Sequence, residues 1–401
     1  MRTFSSQPSI QLSPANPDHH LMAISQITAD AFAGGQYVDE ISQTYIGNCH
    51  YDWETSRLIW DGDQLIHHWG VWGYAMRLEN LFLKVAGVGA VVTSESFRKQ
   101  GLMDLAARGS LKAMRVNGYD LSVLRGRHYV KYGYARAWNY VTYRLKPEEI
   151  PDLVIQKPYE LLDPGKMEEI NEMYNQFHQG FSGTCVRPTY SMLKADDMNA
   201  YGWFDEHNRL VGYVRAVPSD DKKTLQCLEA VGDPQQILAV LGENFKQGEY
   251  ETLTFFTLPH QHPILRFLRK GACVVEDRYF HKTGWRVRIV NLLSTLEKIS
   301  PLLEDRLRQT GYAGWRGDLY LDAGECNATL RIGSGSVQII PGSPSEHSIQ
   351  GGADIARFLI GSDEPDEIIQ QADMSYTGES VELAKALFPN LHPVMSHWDE
   401  F

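Results

Sequence analysis

The stretch VAGVGAVVTSESFRKQGLMDLAARGSL, residues 85–111, changes its hydrophobic period within a single turn. An apolar run closes at Val91, Val92 and Thr93, and a polar segment with Arg98, Lys99, Gln100 and Gly101 follows. Leu102, Leu105, Ala106, Leu111 and Met114 then recur at helical spacing. A buried strand delivered through a glycine turn into a helix predicts an α/β unit whose helix covers the sheet. The start of such a helix carries backbone N–H groups with no intrahelical acceptor, and these with the helix dipole suit a phosphate or diphosphate. Gly101 lets the backbone approach such a ligand. The same pattern is also ordinary turn chemistry, and it matches neither GxGxxG nor GxxxxGK[ST], so dinucleotide and nucleoside triphosphate ligands have little support.

The rest of the 401 residues is too long for one core and predicts two or three domains. Residues 18–33 place Leu21, Ile24, Ile27 and Phe32 on one helical face, a loop runs to Gly47, and a strand meander spans 57–93. Strands at 120–124 and 136–145 close a first unit near Pro147. A second unit of similar kind contains helices in LDPGKMEEINEMYNQF and DPQQILAVLGENFKQ, strands at about 201–204 and 210–217, and the strand LTFFTL. Beyond Val287, a long helix, the short strands GDLYLDAG, NATLRIGSG and SVQIIPG, and two apolar helices predict a third domain of helices against an antiparallel sheet.

Charge is uneven. The chain carries −12 in total, yet residues 1–150 hold 15 Lys plus Arg against 14 Asp plus Glu, leaving −13 for the remainder. This argues against nucleic acid as a partner, suits an anionic ligand to the first third, and draws amines to the rest. Five scattered cysteines without a CxxC, and no apolar run of membrane-spanning length, predict a soluble cytoplasmic protein without a membrane partner.

VVTSESFRKQGLM resembles the acyl-coenzyme A motif of the GNAT superfamily of N-acetyltransferases: Arg or Gln, two residues, Gly, one residue, then Gly or Ala. Arg98 and Gly101 match, and Met103 stands at the small position. YVKYGY, Tyr129 to Tyr134, is similar to the Tyr–x–x–aromatic–Gly–Tyr segment of the enhanced intracellular survival (Eis) subgroup. The resemblance covers the whole chain and implies a mixed α/β architecture in three parts. These are a GNAT domain over 1–149, a degenerate GNAT-like domain without a coenzyme site over 150–286, and a sterol-carrier-protein-like domain over 287–401.

The resemblance also implies chemistry. Acetyl-CoA is the cosubstrate, held by the backbone of Val91, Val92 and Thr93 and by amides of Arg98, Lys99, Gln100, Gly101, Leu102 and Met103. Tyr129 is the general acid, and Phe401, through a terminal carboxylate turned into the site, is the base that deprotonates a primary amine of a small cationic molecule or peptide. Transfer is direct, no metal takes part, and the protein is a homo-oligomer, a hexamer.

Competing readings exist for each feature. YVKYGY can be aromatic packing after a turn, and Asp399 and Glu400 are alternative bases. His67 and His68 face opposite ways on a strand and cannot readily share an ion, while His260 and His262 lack accompanying ligands. Trp53, Trp60, Trp69 and Trp72, with Glu54, Asp61 and Asp63 nearby, fit an acceptor wall or plain core. The sheet of the third domain could instead enclose a lipid or sterol, with the transferase unit inactive or regulatory.

Overall fold

The computed structural model describes residues 10–47, 50–188 and 199–400. The first sheet is built from β1 (Ile10–Pro14), β2 (Arg57–Asp61), β3 (Gln64–Leu78), β4 (Leu81–Thr93), β5 (Leu121–Arg125) and β6 (Ala135–Arg136). Helix α1 (Pro17–Phe32) starts where the Asn16 side chain accepts from the Asp18 amide and Pro17 presets the first turn. Helix α2 (Leu102–Val116) is the crossover between β4 and β5, which run parallel. Adjacent residues of β2 show the two layers: Leu58 joins Ile24 and Ile27 under α1, and Ile59 joins Leu102, Ala106 and Leu111 under α2.

The second sheet contains β7 (Tyr140–Leu145), β8 (Tyr159–Leu161), β9 (Ala200–Phe204), β10 (Leu210–Pro218), β11 (Thr224–Val231), β12 (Thr252–Phe256) and β13 (Val274–Arg278), with α3 (Met167–Phe177) and α4 (Pro234–Gln247). β14 (Trp285–Ile289) then returns to the first sheet and inserts between β5 and β6. The strand orders are β1-β2-β3-β4-β5-β14-β6 and β8-β9-β10-β11-β12-β7-β13. Position by position these are the same arrangement, down to the one parallel pair crossed by a helix. β7 and β14 are exchanged between the sheets.

That exchange corrects the expected strand over 136–145. Ala135 and Arg136 pair with β14 in the first sheet, whereas Tyr140–Leu145 pair with β12 and β13 in the second. Local alternation marks a strand but does not say which neighbour it joins, because both sheets offer an apolar face and an open edge. The expected loop before Gly47 is helical over Val38–Glu40 and Ile41–Gly47. Phe32 and Leu105, placed on core faces from spacing, are exposed.

The third sheet joins β15 (Gly317–Asp322), β16 (Asn327–Gly333), β17 (Ser336–Pro341), β18 (His347–Gln350) and β19 (Ser375–Thr377), two strands more than expected. Its apolar face, including Leu319, Leu321, Leu330 and Ile349, is filled by α5 (Leu292–Arg308), α6 (Ile355–Ile360) and α7 (Ser380–Leu387). α5 is fastened to the first sheet by buried Asp120, which accepts from the Lys84 amide, Ser294 and Lys298 at 2.6–2.8 Å. No helix among the described residues is long and apolar enough to cross a membrane.

Candidate active site

β4 and β5 pair only where Val85, Ala86 and Gly87 face Leu121, Ser122 and Val123. Beyond that point β4 stays with β3 as far as Thr93, while β5 stays with β14 as far as Arg125. A wedge opens between two parallel strands, and the β5-facing backbone edge of Val91, Val92 and Thr93 has no strand partner among the described residues. The bend is produced at Ala90, whose φ of 45° is left-handed, beside a register shift between His68 and Gly70. His68 fixes it: Nδ1–H donates to the Ala90 carbonyl and Nε2 accepts from the Tyr51 hydroxyl, both at 2.8 Å. Burial pushes this imidazole down to about 3, so it stays neutral at physiological pH.

The turn after β4 reaches α2 through two left-handed residues, Lys99 at φ 65° and Gly101 at φ 80°. A Cβ on Gly101 would meet nothing within 4 Å, so the glycine is required by its conformation and the space outside it is open. No side chain among the described residues caps the helix. The Arg98 amide already donates to Glu95 at 3.3 Å, whereas those of Lys99, Gln100, Gly101, Leu102 and Met103 have no acceptor among the described residues. The Arg98 guanidinium is exposed, 3.8 Å from Glu95.

Tyr129 lies in a 3₁₀ turn, Arg127–Tyr132, bounded by the left-handed Gly126 and Gly133. Its ring meets Trp69 edge-on at 5.7 Å, and with Val91, Phe97 and Met103 it packs on the apolar cluster that contains Leu102. The strand edge, the helix start and the tyrosine are therefore together. Burial pushes the Tyr129 phenol up to about 12. The neighbours in YVKYGY do the fastening: Tyr132 and Lys131 bond Asp104 in the first turn of α2, and Tyr134 bonds Ser122 at 2.7 Å.

Phe401 lies outside the described residues, as does Cys49. The two alternative bases are separated by the structure. Asp399 is buried and accepts from Arg187 Nε at 3.1 Å. Arg187 also binds Glu229 of β11, which accepts from Tyr213 and Ser396 at 2.6 Å, and Trp398 lies with its ring 3.3 Å from the Arg215 guanidinium. One residue on, Glu400 faces the first sheet and meets Arg125, the last residue of β5, at 2.9 Å. Burial pushes its carboxyl up against the pull of Arg125. Asp399 is thus an anchor, and Glu400 stands at the carboxyl end of a parallel strand, where α/β sheets place ligands.

The tryptophans divide. Trp69 and Trp72 are core on opposite sheet faces, and Trp53 and Trp60 lie at the rim of the α1 cluster. His67 bonds Thr93 Oγ1, His262 bonds the Ala230 carbonyl, and His260 stacks on His392. No group of three or more His, Cys, Asp or Glu among the described residues is placed to hold a metal. The sequence analysis weighed His68 only as a metal ligand and missed Arg125, Arg187 and Glu229; the polarity of His68 within an apolar strand was the one local hint of its role.

Residues 18–137 match the family model described as an acetyltransferase (GNAT) domain. Among solved structures, the GCN5-related N-acetyltransferase from Kribbella flavida is 17% identical, with a TM-score of 0.73 over 98% of this chain and 99% of that one. The GCN5-related N-acetyltransferase from Anabaena variabilis is 15% identical, with a TM-score of 0.75 over 96% and 99%. Eis1 from Mycobacterium abscessus is 14% identical, with a TM-score of 0.67 over 95% and 97%. No curated protein matches the chain in sequence. Residues 18–137 thus have a GNAT-like α/β fold, and the chain as a whole is similar in fold to these solved structures over nearly its full length.

Proposed function

We propose that this protein transfers an acetyl group from acetyl-CoA to a primary amine of a small cationic molecule or peptide. The observation that carries the reading is the β4/β5 wedge leading to a helix start with free amides. These residues suit the coenzyme: the edge of Val91, Val92 and Thr93, where only the Thr93 carbonyl is met by Arg98 Nε at 3.4 Å among the described residues, can pair with pantetheine amides as an added strand would. The amides of Lys99 to Met103, the α2 dipole and Arg98 suit its diphosphate. When bound, acetyl-CoA supplies a thioester, whose acyl group exchanges its bond to sulfur for one to the amine nitrogen.

The side chains then have definite work. A cleft-strand amide faces the charge that develops on the carbonyl oxygen. Tyr129, neutral because burial raises it, keeps the proton that a departing sulfur needs. Phe401 serves as base in a chain whose carboxylate there is free, with Glu400 as the described alternative. Cys185 and Cys227 are buried and neither packs with the Tyr129 cluster, so direct attack is favoured over a cysteine acyl-enzyme.

Three parts, 1–149, 150–286 and 287–401, with an Eis-like assignment, belong to this reading. The shared strand order supports a degenerate second transferase unit. At the start of its crossover helix, Asp233 caps the Gln236 amide at 2.9 Å and sets a carboxylate where α2 leaves amides free, in keeping with one coenzyme site. A sterol-carrier-like third part would have a structural role, since helices fill its sheet face. Assembly as a homohexamer is testable by light scattering. Free thiol release from acetyl-CoA across an amine panel tests the activity; the absence of both thiol release and coenzyme binding would overturn it.

A further inference from the structure

Arg125 is the last residue of β5 and stands just ahead of the turn that carries Tyr129. The backbone there is fixed by β14: Arg125 pairs with Trp285, the Gly126 amide donates to the Gly284 carbonyl at 3.1 Å, and the Gly126 carbonyl accepts from Arg286 Nε at 2.7 Å. Alternation along the strand sets the direction of the side chain. Leu124 joins Tyr129 and Leu102 in the cluster under α2, whereas Val123 and Trp285 join the cluster around α5 on the other face. Arg125 follows Val123 and so leaves the sheet on the face opposite Tyr129.

On that face the guanidinium is held by two rings and a carboxylate. Its centre lies 5.2 Å from the Trp285 ring and 5.7 Å from the Tyr140 ring, and Nη1 donates to Glu400 Oε2 at 2.9 Å. Glu400 arrives from the second sheet. Arg187 holds Asp399, and the extended backbone at Glu400, φ −72° and ψ 138°, sends the next side chain the opposite way. The Glu400 side chain is 20% exposed, so ionising it has a desolvation cost that a nearby cation must offset. The other titratable groups at this point supply none: Asp399 is a like charge, Tyr140 stays a neutral phenol, and burial pushes His397 down.

We infer that Arg125 is a positioning residue for proton removal: clamped between Trp285 and Tyr140, it keeps the Glu400 carboxylate at the end of β5, on the sheet face opposite the Tyr129 hydroxyl. The role rests on the transferase reading above, with Glu400 as the proton acceptor. As the nitrogen–carbon bond forms, the amine proton passes to a Glu400 oxygen; as the carbon–sulfur bond breaks, the sulfur takes the Tyr129 proton. Base and acid must reach the reacting carbon from separate directions, and the two faces at one strand end provide them. Without Arg125, burial acts unopposed on Glu400, which then binds its proton at higher pH and is lost as a base there.

Rate–pH profiles of acetyl transfer by the full chain test this in wild type, Arg125→Met, Arg125→Lys and Glu400→Gln. Arg125→Met keeps a stem against the rings and should move the acid limb of kcat/KM upward by about one pH unit, with coenzyme affinity unchanged. Arg125→Lys should restore most of that shift, and the residual rate of Glu400→Gln should show no limb. A limb that is unmoved in Arg125→Met, that survives in Glu400→Gln, or that Arg125→Lys fails to restore overturns the proposal. So does a loss of coenzyme affinity in Arg125→Met that matches its loss of turnover. Hydrogen exchange of the peptide containing Glu400 separates the clamp from the transferase reading. Should wild type release no thiol, that reading falls, while exchange quickened about tenfold in Arg125→Met and Glu400→Gln but not in Arg125→Lys upholds the clamp. Exchange equal in all four proteins overturns the clamp as well.

Discussion

Arg125 and Glu400 are 275 residues apart in sequence and meet at 2.9 Å. The residue before Glu400 faces the other way, into Arg187, so consecutive carboxylates tie one short segment to both sheets. Arg187 is fully buried between Asp399 and Glu229. Replacing it with Met removes the common partner of two buried carboxylates and should cost about 3–5 kcal/mol of stability, read from the denaturant midpoint. The variant should also loosen the Arg125–Glu400 contact. A loss below about 1 kcal/mol would show that the cluster is hydrated and weak.

Acid should destabilise the fold from near pH 6.5 downward. Burial pushes His67 and His262 down to about 4 and His68 and His178 to about 3. Their folded values lie below the unfolded value of about 6.5, so the unfolded chain binds more protons as pH falls. The stability tied to their neutral forms is complete above pH 6.5 and drains away toward pH 3. Glu229 adds a second window: burial opposes its ionisation, but Arg187 outweighs burial and holds it at about 2, so its contribution fades from about pH 4.5 toward 2. Unfolding midpoints measured from pH 8 to 4 should be flat at first and then fall, and His262→Asn should shallow the fall.

The sequence made the α2 unit readable because a period change and a glycine lie within a few residues of each other. Gly101 opens α2, and Leu102 beside it shares an apolar cluster with Tyr129. The exchange of β7 and β14 was not readable, since alternation specifies a face and not a partner. Nor was Ala90, whose left-handed backbone is imposed by the His68 bond rather than by its own side chain. Arg187 carries no local signal; its importance arises only when Glu229 and Asp399 arrive from distant segments.

Gly101→Ala separates conformation from contact. The open space around the glycine means the new methyl strikes no protein atom, so the stability cost is the left-handed backbone alone, about 1–2 kcal/mol. Relief of that strain would rotate the free amides ahead of α2. Coenzyme affinity, measured by calorimetry, should therefore fall on the order of tenfold if those amides hold the diphosphate. An unchanged affinity at reduced stability would place the diphosphate elsewhere.

His68→Phe keeps a ring in the core and deletes both hydrogen bonds. The Ala90 carbonyl and the Tyr51 hydroxyl lose their buried partner, at a cost of about 1–3 kcal/mol. Without that clamp, β4 can straighten toward β5 and narrow the wedge. Coenzyme binding should weaken, and Tyr129, which stands on Trp69 rather than on His68, should keep its environment. Tyrosine fluorescence and calorimetry together check both halves.

Tyr129→Phe is the sharpest probe of the chemistry. The ring and its edge contact with Trp69 are kept, so the fold and the wedge should be undisturbed. Only the hydroxyl goes, and with it the proton offered to the departing sulfur. Turnover should drop by about two to four orders of magnitude while coenzyme affinity moves little. Because burial lifts this phenol to about 12, it remains protonated through the ordinary working range, and the wild-type rate should show no alkaline limb from Tyr129 below about pH 10. A limb between pH 7 and 9 that disappears in the variant would mean the hydroxyl ionises during the cycle and acts as a base instead. Equal losses of turnover and coenzyme affinity would make it a packing residue.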